Sequence, residues 1–545
     1  MSSRSQRVAY FCMEYGLDLR LKTYAGGLGI LAGDHLKGAH DHGYPIVGLG
    51  LKWKQGYGNQ SFNENGKPQT DFRSYTYADD VLEDTGVEVT VSVADEDVHC
   101  KVWKTTAFGN VPLYLLDTDL PGNPAPLITD RLYGGSHEDR VAQEIVLGIG
   151  GVRALRALGL DIDVYHFNEG HALLAAFELI REKRAAGASY DDALAATRDE
   201  IVFTTHTPVL AGNEQHPLDR LMDLGANNGL TRAQLKALGG EPFNMTVGGL
   251  RLARKANAVA QLHGVTAQLM WRHVEDGAEI AAITNGVHHP TWVDSEITAA
   301  ADDADALWAQ HQQNKEALLD LVERRTGTRL RADRLLIGFA RRAVTYKRPT
   351  LIFTEEERIA PLLESGKLQL VFSGKAHPQD AAGQAIVAEL AAFSEKYPKG
   401  VVFIPDYDME VGAAMTRGAD VWLNNPRRPK EASGTSGMKA AMNGVLNLST
   451  LDGWWPEACD HGANGWQFGD GFESPDEDLL DAHDLEGLYD VLFGEVVPTY
   501  YDDRARWVAM MQQSIADTHE PFSVERMLQE YDEQLYTASA PAPAA

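Results

Sequence analysis

The sequence predicts an α/β protein made of two lobes, each a largely parallel sheet covered by crossover helices. Three observations carry that expectation. Short β-branched or aromatic runs alternate with helical stretches over most of the chain, the rhythm of parallel strands joined by helices. A polar, helix-forming segment over residues 304–325 reads as a connector, and a second series of strands begins after it. The length, 545 residues, is too great for one ordinary core and suits two or three domains.

In chain order, strands are expected at residues 8–12 and 45–49, with a helix over about 30–42 between them. Residues 87–105 change texture: VEVTVSV and VHCKVWKT alternate with period two around an acidic turn, which predicts an antiparallel hairpin inserted in the first lobe. A helix over 141–158 places Ile145, Ile149, Val152 and Leu155 on one face. Strands at 164–167, 201–205 and 281–284 complete the first series, and strands at 335–340, 368–374, 401–407, 420–425 and 445–450 form the second. The expected boundaries are residues 1–290 for an N-terminal lobe, 291–520 for a C-terminal lobe, and 521–545 for a C-terminal helix and a disordered tail ending TASAPAPAA.

Composition removes several classes. With 44% hydrophobic, 23% charged and 8% aromatic residues, the chain is neither wholly disordered, collagenous nor a coiled-coil array. Its 49 Lys and Arg against 78 Asp and Glu leave a formal charge of −29, which repels nucleic-acid backbones and anionic membrane surfaces. An anionic ligand must therefore be met by a local basic cluster. Cys12, Cys100 and Cys459 are too dispersed for a disulfide framework or a zinc site, so no metal centre is predicted and a reducing compartment is expected. The start lacks an apolar leader and no long apolar window follows, which makes a cytoplasmic location the expectation.

Ligands of open α/β sheets bind beyond the carboxyl ends of the strands, so the residues after each run carry the functional information. After the strand at 335–340 comes RRAVTYKRPT, where Arg341, Arg342, Lys347 and Arg348 put four cations into eight residues just before a helix, a ready anion site. After 420–425 comes PRRPKEASGTSGMKAAMNG, in which Ser433, Gly434, Thr435, Ser436 and Gly437 can turn their amides toward a phosphate and Lys439 lies in the first turn of a helix. Together these stretches gather eight of the 49 basic residues. Ser436-Gly-Met-Lys439 also fits the S-x-x-K acyl-enzyme pattern, but its companion motifs are absent, and no G-K-[ST] follows the glycines as a Walker loop requires. A third segment, TYAGGLGILAGDHLK, places Gly26, Gly27 and Gly29 before a helix. Polar residues close several other strands: Asn168, Glu169 and His171 after the first, His206 after the next, and Asn285, His288 and His289 after the third. Their clustering at consecutive strand ends points to a polar ligand.

With these residues in place, the chain resembles the glycogen/starch/maltodextrin phosphorylases, the α-glucan phosphorylases that use pyridoxal phosphate, and is most similar to their short bacterial forms. The resemblance runs from YFCMEYGL to about Gly469, and its most specific piece is EASGTSGMKAAMNGVLNLSTLDG. It implies two facing Rossmann-like lobes of the GT-B glycosyltransferase type with an active-site cleft between them, and the reversible transfer of a terminal α-1,4-linked glucosyl unit to orthophosphate with retention. Carried over, Lys439 would hold pyridoxal 5'-phosphate covalently, Arg341, Thr435 and Ser436 would surround the cofactor phosphate, and Tyr407 and Trp292 would line its pocket. Arg342 and Lys347, with the backbone of Gly26, Gly27 and Leu28, would hold the substrate phosphate, while His206, Asn285, Glu431, Ser433 and Gly434 would grip the glucosyl hydroxyls. The partners implied are an α-1,4-glucan or maltooligosaccharide and inorganic phosphate, and a homodimer is compatible with the family. The chain starts almost at the expected catalytic core, without the N-terminal extension that carries regulation in animal enzymes. It departs from the family at NNPRRPK, where a threonine-rich approach is common, and at Asp408, where an Arg often follows the pocket Tyr.

Independently of the resemblance, two phosphates brought into contact repel strongly at low dielectric, and clustered cations with amide dipoles are what can hold them together. Three rivals leave residues unexplained. A glycoside hydrolase would use Glu169 as acid/base but gives the basic clusters no purpose. A nucleotide-sugar glucosyltransferase of the same architecture would use AGGLG and a basic pair but not the lysine signature. A silent glucan-binding protein would have no need of Lys439, Arg342, Lys347 and His206 together.

Overall fold

A parallel sheet with both faces covered must be apolar on both, and the central strands are buried along their whole length. The computed structural model describes residues 6–209 and 212–537. Their contacts group into two units, one drawn from the segments 1–57, 72–285 and 524–545, the other from 58–71 and 286–523.

The first unit is built on a nine-stranded sheet, ordered Ile280–Ala282, Lys255–Ala258, Ile201–Thr204, Val164–Asn168, Val8–Phe11, Ile46–Leu51, Leu113–Asp117, Glu96–Thr105, Glu83–Val93. All neighbours run parallel except the last two pairings, which are antiparallel; Glu83–Val93 with Glu96–Thr105 is the predicted hairpin, and Glu96–Thr105 also pairs with Leu113–Asp117. Its turn residues Ala94 and Asp95 both have positive φ (52° and 63°), the mirror-type turn that matches strand twist. Chain order reverses between Val8–Phe11 and Val164–Asn168, so the strand ends there border the switch point of the sheet. The expected helix over 141–158 is present as His137–Ile145 and Gly151–Ala157 with a wider π turn, Val146–Gly150, between them. The segment Val524–Tyr531 and the turn Asp532–Tyr536 also belong to this unit; Arg254 donates to the carbonyls of Leu535 and Tyr536 and so closes the end of that segment. The expected disordered tail falls almost wholly on residues 538–545, outside the described residues.

The second unit carries a six-stranded, all-parallel sheet ordered Val401–Ile404, Leu368–Ser373, Leu335–Ala340, Val421–Asn424, Leu446–Thr450, Gly465–Phe468. Its chain order reverses between Leu335–Ala340 and Val421–Asn424. The helix Ala304–Thr326, expected as a connector, is packed inside this unit: Leu318, Leu319, Leu321 and Val322 are buried, and Lys315 and His311 both pair with the buried Asp420. A small hairpin, Asn59–Phe62 with Pro68–Asp71, also belongs here, held by Lys375 on the Gly58 carbonyl and by Phe62 edge-on to Phe403. No helix among the described residues is long and apolar enough to cross a membrane.

Candidate active site

The switch point of the second sheet is where the two basic stretches meet. Arg341 follows Leu335–Ala340 directly, and its guanidinium donates to the carboxamide oxygen of Asn424, the last residue of the adjacent strand. Its other arm lies 3.0 Å from the Glu431 carboxylate, and Lys347 reaches the same carboxylate at 3.1 Å. Glu431 and the side chain of Arg341 are buried, and Arg341 Nε has no hydrogen-bond partner. Burial opposes ionisation of Glu431, yet the two cations hold its carboxyl below the usual carboxylate range. Burial and repulsion from Arg341 push Lys347 down to about 8. Two cations thus share one anion in a buried place, leaving a local excess of positive charge.

The Ser433–Ser436 turn lies against this cluster. Gly434 takes a left-handed φ of 90°, open to glycine at little cost, and caps the helix Thr435–Met442 with no side-chain bond to the first-turn amides. Gly453 (φ 59°) lets the chain pass so close that an added Cβ would sit 2.2 Å from the Ser433 carbonyl. Ser433 Oγ is buried without a partner. Asp452 accepts the backbone N–H groups of Glu431 (2.9 Å) and Gly453 (2.8 Å), and burial lifts its carboxyl to about 8 against those donors. In the same helix, Lys439 is buried with Nζ 3.5 Å from the centroid of the Trp292 ring. Tyr407 lies within the field of Arg341, and burial pushes its phenol up to about 12.

In the first unit, His206 follows Ile201–Thr204 and its Nε2 donates to the Asn168 carboxamide, which fixes the Nε2–H tautomer. Burial pushes His206 down to about 3, so it is a neutral imidazole at neutral pH. Its backbone N–H donates to Glu169 at 2.7 Å, Thr207 Oγ1 donates to the same oxygen, and burial lifts Glu169 to about 7. Asn285 is buried with an unpartnered side-chain oxygen. The glycine turn opens the helix Gly27–Asp41, again with no side-chain cap, and a Cβ on Gly26 or Gly27 would meet nothing within 4 Å. The turn leaves room beside an uncapped helix start, where the partial positive charge of a helix favours an anion.

Not every basic residue joins the cluster. Arg342 is exposed and has no ion-pair partner among the described residues. Arg348 pairs with Asp481 and Asp484, Arg427 with Glu477 and Asp481, Arg428 with Glu473, and Lys430 with Glu477. These four are paired with carboxylates away from Glu431, so of the eight expected basic residues only Arg341 and Lys347 are gathered on that carboxylate. Asp408, in place of the family's Arg, caps the helix Met409–Gly418 through the Val411 N–H and pairs with Arg325 at 2.8 Å. Glu144, Glu214 and His216 bring ligand atoms within 4.8 Å of one another, but Arg140 already forms a two-pronged bond to Glu214, and His216 binds Glu144.

Sequence reasoning passed over Glu14, whose carboxylate accepts the N–H groups of Ala25 (2.6 Å) and Gly26 (2.9 Å) and the Tyr133 hydroxyl (2.7 Å), and so holds the glycine turn in place. Its only signal was membership of YFCMEYGL. Asp452, Arg417 and Asn443 were passed over too, because their roles are contacts with distant backbone.

A carbohydrate phosphorylase family model matches residues 283–468, the stretch containing Arg341, Lys347, Glu431 and Lys439. Over 97% of its length the chain is 39% identical to a maltodextrin phosphorylase of Thermococcus litoralis, covering 70% of that protein. It is 37% identical to a glycogen phosphorylase of Mycobacterium tuberculosis over 98% of the chain and 71% of the relative. To a glycogen phosphorylase of Aquifex aeolicus it is 35% identical over 97% of the chain and 86% of the relative. Similarity sustained across almost the whole chain, with the buried cation cluster and the lysine helix inside the matched stretch, makes this chain a member of the carbohydrate phosphorylase family.

Proposed function

We propose that the protein is an α-glucan phosphorylase of the two-lobed GT-B type, which moves the terminal α-1,4-linked glucosyl unit of a glucan or maltooligosaccharide reversibly to orthophosphate, with retention, giving α-glucose 1-phosphate. The observation that carries this reading is the buried pair Arg341 and Lys347 sharing Glu431 beside the uncapped helix that bears Lys439. The names of the relatives support it and give no support to a nucleotide-sugar donor.

Pyridoxal phosphate fits the residues present. An amine on an aromatic face, an uncapped helix start with Thr435 and Ser436 in its first turn, and an unpartnered Arg341 Nε suit an aldehyde-bearing aromatic phosphate. In this family the bound cofactor supplies a phosphate that gives and takes a proton, and Lys439 serves as its anchor. Arg341, Thr435 and Ser436 are assigned to the cofactor phosphate, with Tyr407 and Trp292 along its ring. Arg342, Lys347 and the Gly26–Leu28 amides are assigned to the substrate phosphate, lowering the repulsion between two neighbouring anions. Glu431, Ser433, Gly434, His206 and Asn285 are assigned to the glucosyl hydroxyls. His206, neutral and with Nε2–H turned to Asn168, orients rather than protonates.

The test is maltodextrin incubated with the protein with and without orthophosphate. Glucose 1-phosphate formed only with phosphate, and lost in Lys439→Ala, is the expected result. Free glucose formed without phosphate, or an absolute need for a nucleotide sugar, overturns the proposal.

A further inference from the structure

We infer that Asn443 is a positioning residue that sets the Trp292 ring against the Lys439 amine and thereby governs how readily that amine captures pyridoxal phosphate; the inference rests on Lys439 being the cofactor-bearing lysine. Asn443 is fully buried at the end of the helix Thr435–Met442. A carboxamide has two donor hydrogens and an oxygen that can accept twice, and both donors and the oxygen are engaged. Nδ2 donates to the carbonyl of Lys439 (2.8 Å) and to the carbonyl of Trp292 (3.1 Å), and Oδ1 accepts the N–H of Asp294 (2.8 Å). One side chain thus ties the backbone that carries the amine to the backbone that carries the ring.

The remaining capacity of the Trp292 carbonyl is taken by Arg417 Nε (3.0 Å), whose Nη2 also holds the Thr291 carbonyl (3.0 Å). Trp292 ends a helical turn of four residues, His289–Trp292, too short to hold its own position, so these donors fix where the indole lies. The ring it fixes faces Lys439 Nζ at 3.5 Å. An aromatic face stabilises an ammonium, so the ring restrains the direction of the amine and favours its protonated form. Loss of the clamp therefore has two separable effects: the amine is less well aimed, which slows capture, and it loses the ring, which lowers the pH at which it becomes a free nucleophile. Alanine removes all three contacts of Asn443, and aspartate would keep the acceptor but supply no donor.

The test uses the full-length chain freed of bound cofactor, mixed with pyridoxal phosphate over a range of pH, trapped with borohydride at set times and mapped by peptide. The native chain is expected to take up one label, at Lys439. On the alkaline plateau of the pH profile, Asn443→Ala is expected to label the same lysine roughly 10- to 100-fold more slowly, as loss of the two buried hydrogen bonds donated to the Lys439 and Trp292 carbonyls implies. Its half-maximal pH is expected to move down by roughly half a unit to one unit, the size of a cation–π contact. Trp292→Leu, which removes the aromatic face, and the double variant complete a cycle. If Asn443 acts through the ring, the double variant is no slower than the slower single variant. Labelling of Asn443→Ala at the native rate and pH, or multiplicative slowing in the double variant, overturns the inference even if Asn443→Ala melts lower. A native chain labelled elsewhere than Lys439, or not at all, instead overturns the cofactor assignment on which the inference rests.

Discussion

Replacing Glu431 with Gln removes the one carboxylate shared by Arg341 and Lys347. The contacts are 3.0 and 3.1 Å and the carboxylate side chain is only 8% exposed. At an effective dielectric of about 20, each attraction is about 5 kcal/mol, much of it offset by the desolvation of three charges. The net cost of removing one member of a buried charge group is about 3–5 kcal/mol. For a unit of this size that lowers the melting temperature by roughly 6–20 °C. Lys347 softens the loss, because burial already holds it near 8 and without Glu431 it gives up its proton at a lower pH still. Inorganic phosphate should then act as a replacement anion: at about 100 times its dissociation constant it restores about 2.7 kcal/mol. Calorimetry of the native chain and Glu431→Gln, with and without phosphate at fixed ionic strength, reads both effects. A variant that melts with the native chain, or whose melting phosphate raises no more than it raises the native chain's, refutes the view that Glu431 stands as a counter-charge in a phosphate-ready cluster.

Other outcomes follow from individual groups. Lys347 has a folded pKa of about 8, below its ordinary 10.5, so between those values the unfolded chain binds the extra proton and stability rises with pH. That rise should be smaller in Lys347→Met when unfolding is followed by denaturant titration at several pH values, and phosphate affinity of the native protein should fall above pH about 8. Asp408→Ala removes the cap of Met409–Gly418 and the partner of Arg325, and should cost about 1–2 kcal/mol in the same titration without abolishing phosphorolysis. Glu14→Gln takes a charged acceptor from the Ala25 and Gly26 N–H groups and should raise the KM for phosphate more than it lowers kcat.

Much of this was legible in the sequence because parallel strands buried on both faces must be written as apolar runs. Leu335–Ala340 coincides with its expected limits, and the hairpin announced itself by its alternation. Lys255–Ala258 was missed because Lys, Ala and Asn give no β-branched signal, and its place in the sheet comes from pairing with neighbours on both sides. The helix Ala304–Thr326 looked like a connector because its sequence is polar, whereas Lys315 and His311 are buried on Asp420. The same blindness inflated the basic cluster. Composition shows that Arg348, Arg427, Arg428 and Lys430 are cationic, but only folding brings Asp481, Asp484, Glu473 and Glu477 to them. Local motifs were read correctly as motifs, and their supports, Glu14, Asp452 and Asn443, were not, because each acts on backbone far away or without a sequence pattern of its own.

The central claim is that glucosyl transfer to phosphate depends on pyridoxal phosphate held at Lys439. Its most direct test is to strip the purified protein of cofactor, measure glucose 1-phosphate formation from maltodextrin and orthophosphate, and repeat after adding pyridoxal phosphate back. Activity that vanishes and returns in the native chain, and does not return in Lys439→Ala, is the predicted result. Undiminished phosphorolysis by the stripped protein or by Lys439→Ala would contradict it.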